Sequence, residues 1–238
     1  MSHEHDHSPE AIQARFSGEA RHSYLRDWIY GGIDGAVTTF AIVCGVMGAK
    51  LGAKPVLILG VANLIADGFS MAASNYLGTR TELAELQYYE ELEKKHIADF
   101  PEGEREEVRQ IFQRKGLQGD VLEKVVQVIT SDSEHWIRTM LVDEWGLPPS
   151  VRKPSLAAAS TFAAFLVCGG VPLLPFLVHL PNAFEVSIGM TGFVFFGIGA
   201  MKARWSVSSW WSSGLITLAL GGMASFIAYA IGVLLGTG

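Results

Sequence analysis

Five stretches of the chain, residues 28–49, 55–77, 155–178, 183–203 and 208–236, are almost entirely apolar. Each is long enough to cross a bilayer, which takes roughly 20 residues as a helix. The breaks between them are short. AKLGAKP joins the first two and starts the second on Pro55; Pro181 and Asn182 part the third from the fourth; Lys202 to Ser208 part the fourth from the fifth. Residues 79–153 read differently. They hold 16 of the 24 acidic residues and carry helical, not continuous, apolar spacing. The pattern predicts an all-α membrane protein: five transmembrane helices, with a three-helix charged bundle inserted between spans two and three. The segments are a tail over 1–27, spans one and two over 28–78, acidic helices over 79–153 and spans three to five over 154–238.

Within the insert, TRTELAELQYYEELEKKHIAD has no Gly or Pro, so the second span continues through it, with Leu83, Leu86, Tyr89 and Leu92 along one side. Asp99 or Phe100 begins a new helix with Pro101 in its first turn, ending near Gly116. Asp120 is placed to cap a third helix, running to Trp145 and stopping at GLPP. Val121, Val125, Val128 and Ile129 give that helix an apolar stripe.

Composition adds orientation. The mean hydropathy of +0.27 and the 49% hydrophobic content average two unlike parts. Five spans put residues 1–27, 79–153 and 202–207 on one side, with 16 of the 18 Lys and Arg; only Lys50 and Lys54 lie opposite. Basic residues favour the cytosol, so the N-terminus and the acidic insert are expected there and the C-terminus outside. The start, MSHEHDHSPE, has no apolar core or cleavage site of a signal peptide; His3, His5 and His7 suit a disordered tail better than a metal site. Cys44 and Cys168 lie inside spans and read as buried hydrophobes. No nucleic-acid partner and no enzymatic activity are expected.

The insert carries candidate chemistry. EELEKKHIADFPEGEREEV holds seven Glu and one Asp around His96. Glu93 and His96 are three apart and share a helix face, as do Glu104 and Glu107; Met140 and Glu144 are four apart. Convergence of these faces would offer carboxylates, an imidazole and a thioether, a set suited to Fe²⁺, Mn²⁺ or Zn²⁺. A solvated face laced with ion pairs has the same spacing.

The spans carry polar residues too. Asp34, in YGGIDGAVTTFAIV, would cost roughly 2.5–3.5 kcal/mol at a span centre and is a functional candidate by default; the alternative is an Asp hydrated near the interface. Thr38 lies one turn on. In NLIADGFSMAASNYLG, Asn63, Asp67, Met71 and Asn75 recur every four residues and form one stripe, read as lining a path. Glu185 suits an interfacial position. The pairs Gly31/Gly35, Gly48/Gly52 and Gly232/Gly236 allow close helix approach, and Pro172 and Pro175 should kink or open the third span.

These motifs together, DGAVTTFAIVCGVMGA, ADGFSMAASNYLGTRTE, the Glu-rich helices and GGVPLLPF, resemble the vacuolar iron transporter family from about Tyr30 to Leu235. The resemblance implies a homodimer with five spans per subunit and proton-coupled export of Fe²⁺, often with Mn²⁺. It implies a transmembrane ion site at Asp34 and Met71 and a cytosolic site at Glu93, His96, Glu104, Glu107, Met140, Leu141 and Glu144. Two positions depart from the family pattern. His96 stands where Glu is typical and removes a negative charge. Leu141 stands where a second Met is typical and cannot ligate, which makes the site harder and leaves Mn²⁺ more open.

The leading reading is a transporter. Metal collected by the cytosolic carboxylates passes to Asp34 and Met71 and leaves on the far side, while protons return on the same carboxylates; Zn²⁺ could also occupy the cytosolic site. A bacterial cell membrane is expected over a vacuolar one. The alternatives are a passive channel and a membrane-tethered ferritin-like di-metal protein or oxidase. Glu93–His96 supplies one Glu-x-x-His pair, with Asp132–His135 a near miss, whereas ferritin-like sites need two such pairs and two further Glu.

Overall fold

The computed structural model describes residues 8–16, 22–205 and 207–236 of the chain; His3, His5 and His7 lie outside them. The described residues form helices and no strands: α1 (Pro9–Phe16), α2 (Leu25–Gly48), α3 (Ala53–Asp99), α4 (Pro101–Arg114), α5 (Gly119–Thr130), α6 (Ser133–Asp143), α7 (Pro154–Gly170), α8 (Leu174–Leu177), α9 (Ala183–Lys202) and α10 (Trp210–Gly236). Among the described residues, five helical stretches are long and apolar enough to cross a membrane: Leu25–Gly48, part of Ala53–Asp99, Pro154–Leu177, Ala183–Trp205 and Trp210–Gly236. The chain divides into two compact units. Of the described residues, those before 24 and 79–152 make one unit; 24–78 and those from 153 onward make the other.

In the apolar unit, α2 is the central helix, packed on α7, α9 and α10. Small residues make this possible. A methyl group at Gly31 would strike the carbonyl oxygen of Thr161 on α7, and one at Gly232 would strike that of Gly45. Backbones in such contact gain van der Waals attraction that lipid cannot replace, because hydrophobic burial drives little association inside a bilayer. Gly52 departs from the expected pairing. Its φ of 83° and open surroundings make it a turn residue between α2 and α3, not a packing partner of Gly48. Around the glycines, Ala36, Phe40, Val43, Cys44, Phe195 and Ile198 form the core. Both cysteines are buried free thiols. Pro172 and Pro175 interrupt α7 as expected: a 3₁₀ turn over Val171–Leu173 precedes α8, since neither proline can donate a helical hydrogen bond. Ser187 on α9 donates to the freed carbonyl of Pro172 at 2.8 Å.

In the acidic unit, α3 runs unbroken to Asp99, and Leu83, Leu86, Tyr89 and Leu92 are half-buried along one side. Pro101 occupies the first turn of α4. Two expectations fail beyond it. The single helix over 120–145 is two helices, α5 and α6, broken at Ser131 and Asp132. Asp132 caps α6 by accepting from the His135 backbone N–H at 2.9 Å, an arrangement that satisfies an otherwise orphaned donor and holds the Asp132 carboxyl below its usual range. Asp120 is not the cap of α5; Gln118 is, and Asp120 sits in the first turn. The stripe also shifts. Leu122 and Val126 are buried, with Ile129 packed against them, while Val121 and Val128 are 58% and 65% exposed. A helix apolar on more than one face does not reveal which face is covered until its neighbours are placed. Here Val108, Trp136 and Met140 supply the cover.

Candidate metal centre

The end of α3 and the start of α4 bring three candidate ligands together in the acidic unit. Ligand atoms of Glu93, His96 and Glu104 all lie within 4.8 Å of one another. His96 Nδ1 is 3.7 Å from Glu93 Oε1 and 3.6 Å from Glu104 Oε1. Glu93 and His96 share a face because they are three apart on α3; Glu104 joins them because the chain turns back at Phe100, with Pro101 opening α4. Glu93 is fully buried and Glu104 is 6% exposed. One carboxylate oxygen of each, Oε2, is buried without a hydrogen-bond partner. Buried polar atoms are rarely left so, and orphaned carboxylate oxygens beside an imidazole are suited to a cation.

The other oxygen of Glu93 is held. Trp145, beyond the end of α6, donates its indole N–H to Glu93 Oε1 at 2.9 Å, and its ring packs on Tyr89 with centroids 4.3 Å apart. No sequence signal singled out Trp145, since its partner lies 52 residues away.

Glu107 and Glu144 surround this group electrostatically. Burial first, then the charges of Glu107, Glu93 and Glu144, push the Glu104 carboxyl up to about 7. Partial desolvation and the charges of Glu107 and Glu93 push Glu144 up to about 7 as well; the residue as a whole is exposed, so solvent screens it more than Glu104. Carboxyls titrating near neutrality exchange protons for a divalent ion readily. Elsewhere in the unit several acids are paired: Arg109 of α4 binds Glu106 and also Glu123 of α5, and Lys115 binds Asp143 at 2.6 Å.

Met140 and Leu141 fall differently. Met140 is fully buried in the apolar cluster with Val108, Leu122, Val126 and Trp136. Leu141 lines a cavity of about 580 Å³ together with Leu86, Lys94, Ile137 and Arg138.

The apolar unit holds the remaining candidates. Asp34 and Met71 are half-buried, and Asp67 lies within electrostatic reach of Asp34. Thr38 spends its hydroxyl on the Asp34 carbonyl at 2.9 Å, inside α2. Asn63 has a buried amide nitrogen without a partner. Asn75 is tied into the helix packing: it donates to Asp27 Oδ1 at 2.9 Å, Thr161 Oγ1 at 2.7 Å and the Ala157 carbonyl at 3.2 Å. Asp27, 3% exposed, drew no attention in the sequence because it sits just before the first apolar run. Glu185 is exposed in the first turn of α9.

Vacuolar iron transporter 1 of Oryza sativa subsp. japonica is 32% identical over 97% of this chain and 90% of its own length. Vacuolar iron transporter 1 of Arabidopsis thaliana is 32% identical over 87% of this chain and 84% of its own. The vacuolar iron transporter of Toxoplasma gondii is 28% identical over 89% of this chain and 74% of its own. Residues 25–233 match the VIT family as a whole, and with five apolar helices interrupted by an acidic helical unit, the chain belongs to that family.

Proposed function

We propose that this multi-pass membrane protein exports Fe²⁺ and/or Mn²⁺ from the cytosol in exchange for protons. The observation that carries the proposal is the set Glu93, His96 and Glu104, whose ligand atoms lie within 4.8 Å of one another and whose two carboxylates each keep a second, buried oxygen without a partner. The names of the relatives support iron as a cargo. Metal bound at this set, with Glu107 and Glu144 adding negative charge, is handed to Asp34 and Met71. Helix α3 carries donors of both places, Met71 in its apolar part and Glu93 and His96 near its end. A carboxylate that holds either a proton or a metal ion couples the two fluxes, and Glu104, titrating near 7, is able to do so at cytosolic pH. The imidazole in place of a carboxylate lowers the charge of the site and suits borderline ions such as Mn²⁺, Fe²⁺ and Zn²⁺. The acidic unit faces the cytosol, the membrane is the cell membrane, and the working form is a homodimer.

The ferritin-like alternative loses its second motif, because Asp132 of the Asp132–His135 pair is engaged as a helix cap. The deciding experiment is uptake of Fe²⁺, Mn²⁺ and Zn²⁺ into proteoliposomes with and without an imposed pH gradient. Flux driven by the gradient is expected for Fe²⁺ or Mn²⁺. Flux indifferent to the gradient would make the protein a passive channel, and no flux with iron-dependent oxygen consumption would make it an oxidase.

A further inference from the structure

Helices α2 and α3 meet where Asp27 Oδ1 accepts from the side-chain amide of Asn75 at 2.9 Å. At 1.5 Å per residue, α2 rises about 10.5 Å from Asp27 to Asp34, and α3 rises about 12 Å from Asn75 back to Asp67. Counted from the Asp27–Asn75 bond along two consecutive antiparallel helices, Asp34 and Asp67 therefore fall at nearly the same height. In that register Met71, midway between Asn75 and Asp67, lies at a level between Asp27 and Asp34. We propose that the Asp27–Asn75 pair is a positioning clamp that fixes this register and so sets Met71 and Asp67 against Asp34. The inference rests on the reading of Asp34 and Met71 as ion ligands.

The clamp is built to hold. Asp27 is buried, and a buried carboxylate in a membrane-facing unit requires a donor to offset its desolvation. Asn75 supplies that donor and also donates to α7, at Thr161 Oγ1 and the Ala157 carbonyl. Thr161, itself 1% exposed, donates to Ala157 O at 3.1 Å. One side chain thereby ties α3 to α2 and α7 together. Further along α3 the contacts with the same unit are apolar, Gly60 against Leu173 and Gly68 against Phe165. Apolar contacts resist separation of helices but tolerate sliding. A charge-assisted hydrogen bond has a fixed length and direction, so it pins the register.

The test is Mn²⁺ flux by the full-length protein in proteoliposomes, with rates corrected for correctly inserted protein. Asn75→Leu, Asp27→Ala and the double variant are compared with wild type, with Asp34→Asn alongside. Displaced ligands weaken ion capture, so KM should rise about tenfold in each single variant, as for other groups that orient metal ligands. The maximal rate should stay within about twofold. The double variant should be no worse than the poorer single one, because the two residues act as one unit. Asp27→Asn, which keeps volume and insertion but weakens the bond, should show a smaller rise of a few-fold. Wild-type KM in all clamp variants, with Asp34→Asn inactive, would overturn the clamp alone. A lower melting temperature with unchanged KM would do the same and leave the pair a stability element. Full flux from Asp34→Asn would remove the site itself, and with it both this inference and the reading beneath it.

Discussion

Glu104→Gln should stabilise the metal-free protein at pH 8 and abolish the gain that metal gives. Glu104 is 6% exposed, and one of its oxygens is buried without a partner. Its carboxyl titrates near 7, against 4.5 in the unfolded chain. A carboxyl raised in this way stabilises the fold fully below pH 4.5 and loses that contribution as pH rises through 7. Metal-free protein should therefore weaken between pH 5 and pH 8. At about 1.4 kcal/mol per pH unit, the interval from 4.5 to 7 bounds the loss near 3 kcal/mol. Solvent screening at the neighbouring exposed Glu107 and Glu144 leaves about 1–2 kcal/mol. In a unit of this size that is roughly 5–10 °C of melting temperature. Gln keeps the shape without the charge, so its melting point should fall less over the same range, by only what Glu144, itself near 7, still contributes. Manganese at a hundred times its Kd should add about 2.7 kcal/mol to the wild type and little to the variant, reversing their order. The assay is thermal unfolding of the full-length protein, followed by tryptophan fluorescence at pH 5 and 8 with chelator or Mn²⁺. Trp136 and Trp145 report from this unit. An equal pH dependence in both proteins would refute the argument that a buried, crowded carboxylate at position 104 is the cause.

Three further outcomes follow from the same geometry. Calorimetry on Glu104→Ala with Glu107→Ala should show at least a tenfold (~1.4 kcal/mol) loss of Mn²⁺ affinity, and unchanged binding would return both residues to an ordinary solvated face. A Cys replacing exposed Gln118 should resist a membrane-impermeant thiol reagent in intact cells while one replacing exposed Leu51 reacts; the reverse pattern would invert the direction of transport. Gly232→Ala should fail to give monodisperse protein, since its methyl would meet the Gly45 carbonyl and overpacking costs about 1–3 kcal/mol or more, whereas Gly52→Asn should be tolerated because nothing surrounds it and Asn accepts a positive φ.

The five apolar helices, the acidic insert and the break at Pro172 and Pro175 were legible along the chain, because span length, charge segregation and a missing N–H act locally or along one helix. Glu93, His96, Glu104 and Glu107 were legible as candidates too, since three-residue spacing puts each pair on one face of a single helix. Which of these meet depended on how the helices pack. Glu104 reaches Glu93 through the turn at Phe100 and Pro101, and the resulting burial is what lifts its pKa to about 7. The break between α5 and α6 was written in Asp132, but Asp132-Ser-Glu-His135 also reads as a metal motif, and only its side-chain bond to the His135 amide separates the two. Burial of Leu122 and Val126 in place of Val121 and Val128 depended on which face α4 and α6 would cover. Asn75 shows the limit most clearly. Four-residue spacing placed it on the polar stripe of α3 with Met71, yet its partners are 48 and 86 residues away. A hydrogen bond between distant segments leaves no periodic trace in a chain, because periodicity records only which face of a helix a residue is on, never what that face will meet.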